Sequence, residues 1–258
     1  MSSTTFTRGI DCRIEVYVKD YFVKKSPFSL IFLQLLITLR TFWSDNAQMN
    51  IAVFASGRGS NFEAILHAID NSTLPARVVL LLTNNSNAGV RIIAQEHRIP
   101  SIHLSQKKFA SEEEFAQSML NALTEHRVEL IALAGYMKYV PKQVIEKYRY
   151  KILNIHPALL PAFGGAGMFG HHVHEAVLAS GVKYSGATVH FVDEEYDHGP
   201  ILLQKVVEVF PHDTVETLAA RVLKVEHEIY PLALTAIVEG RVKIEGRKAW
   251  IIPAPNNF

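Results

Sequence analysis

From Met49 onward the chain alternates short apolar runs with segments whose apolar residues recur at helical spacing, and this alternation limits the fold more than any other feature. Residues 51–55 read as a fully buried strand, and residues 61–70 follow with Phe62, Ile65, Leu66 and Ile69 on one helical face. A strand over 78–82 and a helix over 90–97 come next. Residues 109–126 are polar but periodic at Phe115, Met119, Leu120 and Leu123, as in an amphipathic surface helix. Residues 130–134 and 152–155 are further short strands, and 188–192 and 202–209 alternate more, as strands near a sheet edge do. A long helical pattern over 214–239 stops at Gly240. Strands and helices in this order imply an α/β fold, a doubly wound, mostly parallel sheet with helices on both faces. No internal repeat or low-complexity tract interrupts it, and residues 253–258 read as a loose tail.

The first 48 residues do not share this pattern. Residues 28–39 are mostly apolar and follow Lys24-Lys25, which imitates a signal peptide, but no small-residue cleavage site follows and the run is shorter than the ~20 residues a membrane span needs. The segment is expected to be a poorly ordered extension or the product of a misassigned start, with Met49 opening a domain over 49–258. With 26 basic against 25 acidic side chains the formal net charge is +1, which gives no field for nucleic acid or an anionic membrane. Cys12 is the single cysteine, so an internal disulfide framework and a cysteine-rich zinc site are excluded, and a reducing cytoplasm fits.

Ligands of doubly wound sheets sit beyond the carboxyl ends of the strands, which selects the loops 56–61, 134–140, 154–172 and 192–200. Ser56-Gly57-Arg58-Gly59-Ser60-Asn61 joins the first strand to the first helix. Its glycines admit a close ligand, Ser60 or Asn61 is expected to cap the helix, and the free N–H groups there attract an anion. No Gly-Lys-Ser/Thr follows, Phe62 takes the place of a third dinucleotide glycine, and Thr83-Asn84-Asn85 stands where an acidic ribose ligand belongs. A monophosphate therefore fits better than a dinucleotide, with a plain glycine-rich turn as the alternative.

Asn154-Ile155-His156-Pro157 closes a buried strand, and alternation puts Asn154 and His156 on one face. The glycine-rich loop after them is long enough to suggest function. In Asp193-Glu194-Glu195-Tyr196-Asp197-His198-Gly199-Pro200 the first three carboxylates read as a surface turn, and Asp197 is the one placed to be locked by backbone. His171, His172 and His174 invite a zinc reading, but zinc needs ligands in a set geometry with further support, so they read as helix-start residues and no metal is expected.

These motifs, with Leu133-Ala134-Gly135-Tyr136-Met137, Gly186-Ala187-Thr188-Val189-His190-Phe191-Val192 and Glu226-His227-Glu228-Ile229-Tyr230-Pro231, resemble the folate-dependent phosphoribosylglycinamide formyltransferase family from about Met49 to Pro253. The resemblance implies a Rossmann-like formyltransferase fold. It also implies transfer of formyl from 10-formyltetrahydrofolate to the amine of glycinamide ribonucleotide, N1-(5-phosphoribosyl)glycinamide, in purine synthesis, without a metal. It assigns Asn154, His156 and Asp197 as the catalytic trio, Gly59, Ser60 and Asn61 to the substrate phosphate, and Glu226 to the substrate's amine and ribose side. Met137, Lys138, Tyr139 and Val140, with Asn154 and residues 192–197, are implied to line the folate pocket. In that chemistry a protonated His156 stabilises the developing oxyanion and donates a proton, Asn154 adds a hydrogen bond, and Asp197 is expected to raise the imidazole's pKa.

The sequence departs from the family pattern twice. Ala162 follows Leu-Leu-Pro where a basic residue is common, and Glu112-Glu113-Glu114 replaces a basic position near the folate, for which Lys107 or Lys108 is the expected substitute. A formyltetrahydrofolate deformylase shares Asn-Ile-His and Leu-Pro-Ala-Phe, but it has no nucleotide to bind, and its regulatory domain is unlike residues 1–48. A methionyl-tRNA formyltransferase carries an added RNA-binding domain, for which no matching segment is seen. A non-catalytic nucleotide- or folate-binding module would not require the trio.

Overall fold

The computed structural model describes residues 48–254. Cys12, the apolar run over 28–39 and the tip of the expected loose tail lie outside the described residues, as does the expected extension apart from Gln48.

The elements are β1 (Met49–Phe54), α1 (Ser60–Asp70), β2 (Ala76–Thr83), α2 (Val90–Glu96), β3 (Ser101–His103), α3 (Glu112–Glu125), β4 (Leu130–Leu133), α4 (Lys142–Lys147) and β5 (Ile152–His156), continuing with α5 (His171–Ser180), β6 (Tyr184–Phe191), β7 (Ile201–Glu208), α6 (Val215–Val238), β8 (Val242–Glu245) and β9 (Lys248–Ile251). Among the described residues the strands form one sheet in the order β3-β2-β1-β4-β5-β6-β7-β9-β8. From β3 to β5 all pairs are parallel. Pairs β5/β6, β6/β7 and β8/β9 are antiparallel, and β7/β9 is parallel. The expected doubly wound, mostly parallel sheet is therefore what forms.

Period-2 alternation splits the apolar strand residues between two cores. Ile51, Val53, Leu81, Ala132, Leu153 and Ile155 join α1 and α6 on one face. Ala52, Phe54, Leu80, Leu82, Ile131 and Ile152 join α3 and α4 on the other. Helical spacing supplies the matching faces: Phe62, Ile65 and Leu66 from α1 and Phe115, Met119 and Leu123 from α3. Helix α6 begins where Thr214 caps the Thr217 amide in a reciprocal box and ends before Gly240, whose φ of 68° lies in the left-handed region that glycine tolerates.

The structure departs from the periodicity in two ways. Residues 188–192 were expected near a sheet edge, but β6 is interior and buried from Ser185 onward. Its polar Thr188 and His190 are tolerated because each is hydrogen-bonded to backbone, Thr188 to the Ala158 carbonyl and the Leu160 amide of the loop after β5, His190 to the Phe191 carbonyl. The short β3, α4, β8 and β9 leave no clear periodic signal; β8 and β9 are half-exposed hairpin strands.

The chain reverses its direction of sheet growth between β1 and β4, and this switch point places the loops after both strands around one crevice. The Ser56 amide donates to Gly135 O at 3.0 Å, and the Ser56 hydroxyl accepts from the Met137 amide at 2.9 Å, knitting the two loops. Beneath them the fully buried Tyr230 hydroxyl of α6 is shared between Leu133 O at 3.0 Å, at the end of β4, and Leu153 O at 3.1 Å, within the neighbouring β5. Tyr230→Phe leaves these carbonyls without that donor, and urea unfolding is expected to show a loss of about 1–2 kcal/mol with an unchanged m value.

Candidate active site

The crevice has a volume of about 720 Å³ and runs from the start of α1 to the β6–β7 loop. At its first end, Gly59 holds φ at 99°, and an added Cβ would lie 2.7 Å from Val90 Cγ2, so only glycine fits the turn. Gly59, not Ser60 or Asn61, occupies the cap position, and no side chain caps the helix. The expected capping role is thus corrected. Ser60 and Asn61 are the first helical residues, and the amides of this first turn keep no side-chain acceptor. Ser60, Asn61 and Arg58 line the crevice, whereas Gly59 sits behind it against α2.

Asn61 turns inward and donates from Nδ2 to Glu226 Oε2 at 2.6 Å. Glu226, on α6 and 8% exposed, also lines this end. Burial pushes its carboxyl above the usual range, and the Asn61 hydrogen bond opposes that only in part.

At the middle, β5 presents Asn154 and His156 on one face, as alternation requires. Asp197 approaches from the β6–β7 loop in the left-handed region, at φ 54°. Its Oδ2 is 3.5 Å from His156 Nδ1 and accepts from the Gly165 amide at 2.9 Å. Its Oδ1 lies 3.4 Å from Asn154 Nδ2. His156 Nε2 donates to Phe163 O at 2.8 Å, so its two ring nitrogens face two acceptors, the arrangement that suits an imidazolium. Burial nevertheless pushes the imidazole down, and the upward pull of the Asp197 charge and the Phe163 carbonyl does not overcome it. Asp197 acts in the expected direction, but the net shift is downward because His156 is 3% exposed. Burial also pushes the Asp197 carboxyl up, yet His190, the His156 charge and the Gly165 amide hold it below the usual range.

His190 is the member of this cluster that motif reading left without a role. Antiparallel pairing of β5 with β6 sets it opposite Asn154. Its Nδ1 faces Phe191 O at 2.9 Å, and its Nε2 is 3.1 Å from Asn154 Nδ2 and 3.5 Å from Asp197 Oδ1. The usable signal is the alternation of Thr188 and His190 on β6, but it needs the strand register to become specific.

The far end of the crevice is lined by Met137, Lys138, Tyr139, Val140, Val192 and Tyr196. Tyr139 and Tyr196 meet edge to face at 5.7 Å, forming an aromatic wall. Lys107 and Lys108 do not line the crevice; they form a short 3-10 turn in which Lys108 Nζ lies 3.3 Å from His103. Glu112–Glu114 are the first turn of α3, where Ser111 caps the Glu114 amide and negative charge suits the helix dipole. The histidine run diverges, with His172 exposed beside Glu175 and His174 buried. Among the described residues no group of three or more His, Cys, Asp or Glu is arranged to hold a metal ion.

Fold and cluster together define a doubly wound α/β domain with a buried His–Asp–Asn centre at its switch point. Residues 49–234 match the formyl transferase family, and the chain belongs to that family. It is 44% identical over 194 residues to the Arabidopsis thaliana protein named phosphoribosylglycinamide formyltransferase, chloroplastic, which covers 75% of this chain and 66% of that relative's length. To the Bacillus subtilis phosphoribosylglycinamide formyltransferase it is 42% identical over 187 residues, 72% of this chain and 93% of the relative. The crystal structure of glycinamide ribonucleotide transformylase 1 from Symbiobacterium toebii superposes with a TM-score of 0.76 at 37% identity, covering 80% of this chain and 95% of the other.

His174 lines the crevice with its buried Nδ1 unpartnered, and burial, helped by the His171 and His156 charges, lowers its pKa to about 4. The unfolded chain therefore takes up a proton that the folded chain refuses, so this contribution to stability is full above pH ~6.5 and is lost as pH falls toward the folded value. Urea unfolding at pH 7 and pH 5 is expected to show a fall about 1–2 kcal/mol larger in the native protein than in His174→Gln.

Proposed function

We propose that the chain transfers a formyl group from 10-formyltetrahydrofolate to the glycine amine of glycinamide ribonucleotide, giving the N-formyl product and tetrahydrofolate. The observation that carries this reading is the convergence of Asn154, His156 and Asp197 midway between an anion-accepting helix start and an aromatic-walled pocket. The names of the relatives point to the same reaction.

In this reading the first-turn amides of α1, with Ser60 and Asn61, bind the phosphate. Glu226 receives the amine and ribose side, and its Asn61 contact ties it to the phosphate end. Met137, Lys138, Tyr139 and Val140 hold the pterin side of the folate, whose part is to supply the formyl carbon. The amine nitrogen bonds to that carbon, the carbon's bond to the folate nitrogen breaks, and one proton passes from the amine to the departing nitrogen. His156 and Asn154 stabilise the negative charge that develops on the formyl oxygen, and His156 holds the proton in transit. Asp197 keeps the buried imidazole able to carry charge, which matters because burial works against it. The single cysteine of the sequence fits a reducing compartment such as the cytoplasm.

Incubation with 10-formyltetrahydrofolate is expected to release tetrahydrofolate only when glycinamide ribonucleotide is present. Release without it would mark a hydrolase, and no release in either case would mark a binding module. His156→Ala is expected to fold normally and to lose a factor of at least about 100 in kcat, as removal of one oxyanion donor does.

Asp197→Asn removes the anion that raises the His156 pKa, so less imidazolium remains near neutrality. Its deficit in kcat/KM is expected to be largest above pH 7 and to narrow as the assay is acidified toward about pH 5. A deficit constant across that range would remove Asp197 from control of the proton.

A further inference from the structure

Asp197 is a non-glycine residue with φ in the left-handed region, and such a conformation persists only where surrounding structure holds it. Gly165 holds the carboxylate, but the backbone that carries it has a second restraint on the far side of the loop. Asp193 opens the loop by accepting the Glu195 amide at 3.0 Å. Its other oxygen accepts from His198 Nδ1 at 2.8 Å. Arg247, at the turn between β8 and β9, donates from Nη2 to His198 O at 2.7 Å, and its Nη1 lies 2.6 Å from Nε2 and 3.2 Å from Nδ1 of the His198 ring. Arg247 therefore meets both the backbone carbonyl and the ring edge of His198, while Asp193 holds the ring at Nδ1. The next residue, Gly199, lies so close to the end of β6 that a Cβ would sit 1.9 Å from Phe191 O. The hairpin is anchored to the strand that leaves the loop, since Lys248 of β9 pairs with Ile201 of β7.

We propose that Arg247 is a positioning residue for Asp197: by clasping the carbonyl and ring of His198, it fixes the loop that sets the Asp197 carboxylate against His156. Arg247 is not among the residues that line the crevice, so it acts through the loop and not on a ligand. Its kinetic consequence rests on the formyl-transfer reading; its effect on His156 does not. Exposed charged contacts of this kind contribute little to stability, so a positioning role and a merely structural one separate in experiment.

The test uses the full chain with labelled histidine and follows the His156 ring by NMR through a pH titration in native, Arg247→Ala and Arg247→Lys proteins. Arg247→Ala is expected to lower the His156 midpoint by about half a pH unit or more as the Asp197 charge moves off, with the thermal midpoint within about 2 °C of native. In steady-state assays Arg247→Ala is expected to lower kcat about 5- to 30-fold and raise KM for the folate, leaving KM for the ribonucleotide within about twofold. Arg247→Lys, which keeps one donor, is expected to recover part of both effects. An unchanged His156 midpoint in Arg247→Ala would overturn the proposal, and so would equal losses in all kinetic constants with a large fall in thermal midpoint. If the native protein shows no ribonucleotide-dependent turnover, the functional reading fails while the His156 titration still decides the role of Arg247.

Discussion

A carboxylate taken out of water must be met by donors or charges, and the centre of this molecule is arranged around that demand at Asp197. The carboxylate draws on β5 through Asn154 and His156, on β6 through His190, and on the glycine-rich loop through the Gly165 amide. These partners come from three different segments, so the mutual position of the segments is tied to the satisfaction of one group. The same burial that makes the carboxylate demanding also presses His156 toward its neutral form. Acid and base are thus opposed within a few ångströms, and neither would sit at its observed place without the other.

The sheet makes this arrangement possible by changing its own rule partway across. From β3 to β5 it is parallel, which creates the switch point and opens the crevice. From β5 to β6 it is antiparallel, which brings a second strand's polar residues level with Asn154 and His156. A parallel neighbour would require a crossover and would present its carboxyl end, not its interior, to the same place.

Much of this was legible in the chain and some was not, for reasons that differ by residue. Long periodic segments such as 61–70 and 214–239 carry many apolar repeats, and the observed α1 and α6 lie within a residue of those bounds. Asn154 and His156 were readable because alternation on a buried strand is a local property. His190 was not, because its importance depends on antiparallel register with a strand far away in sequence. Residues 188–192 looked like edge strand because polar side chains interrupt the apolar pattern, yet in the interior those side chains pair with backbone carbonyls. Arg247 gave no signal, since a surface arginine on a short hairpin resembles any other until its acceptors are known. The expected substitution of Lys107 or Lys108 near the folate failed for a related reason, as proximity in sequence to α3 does not aim a side chain into the crevice.

The Ser56 contacts with Gly135 and Met137 carry a consequence for how molecules enter and leave. They stitch the two walls together at the floor, directly above the strands, where Tyr230 reinforces the adjoining β4 and β5 from below. The cleft is therefore a book with a glued spine. The binding is tight along the sheet, and the freer margin of the crevice lies where Phe169 and Tyr196 line it with side chains half in solvent.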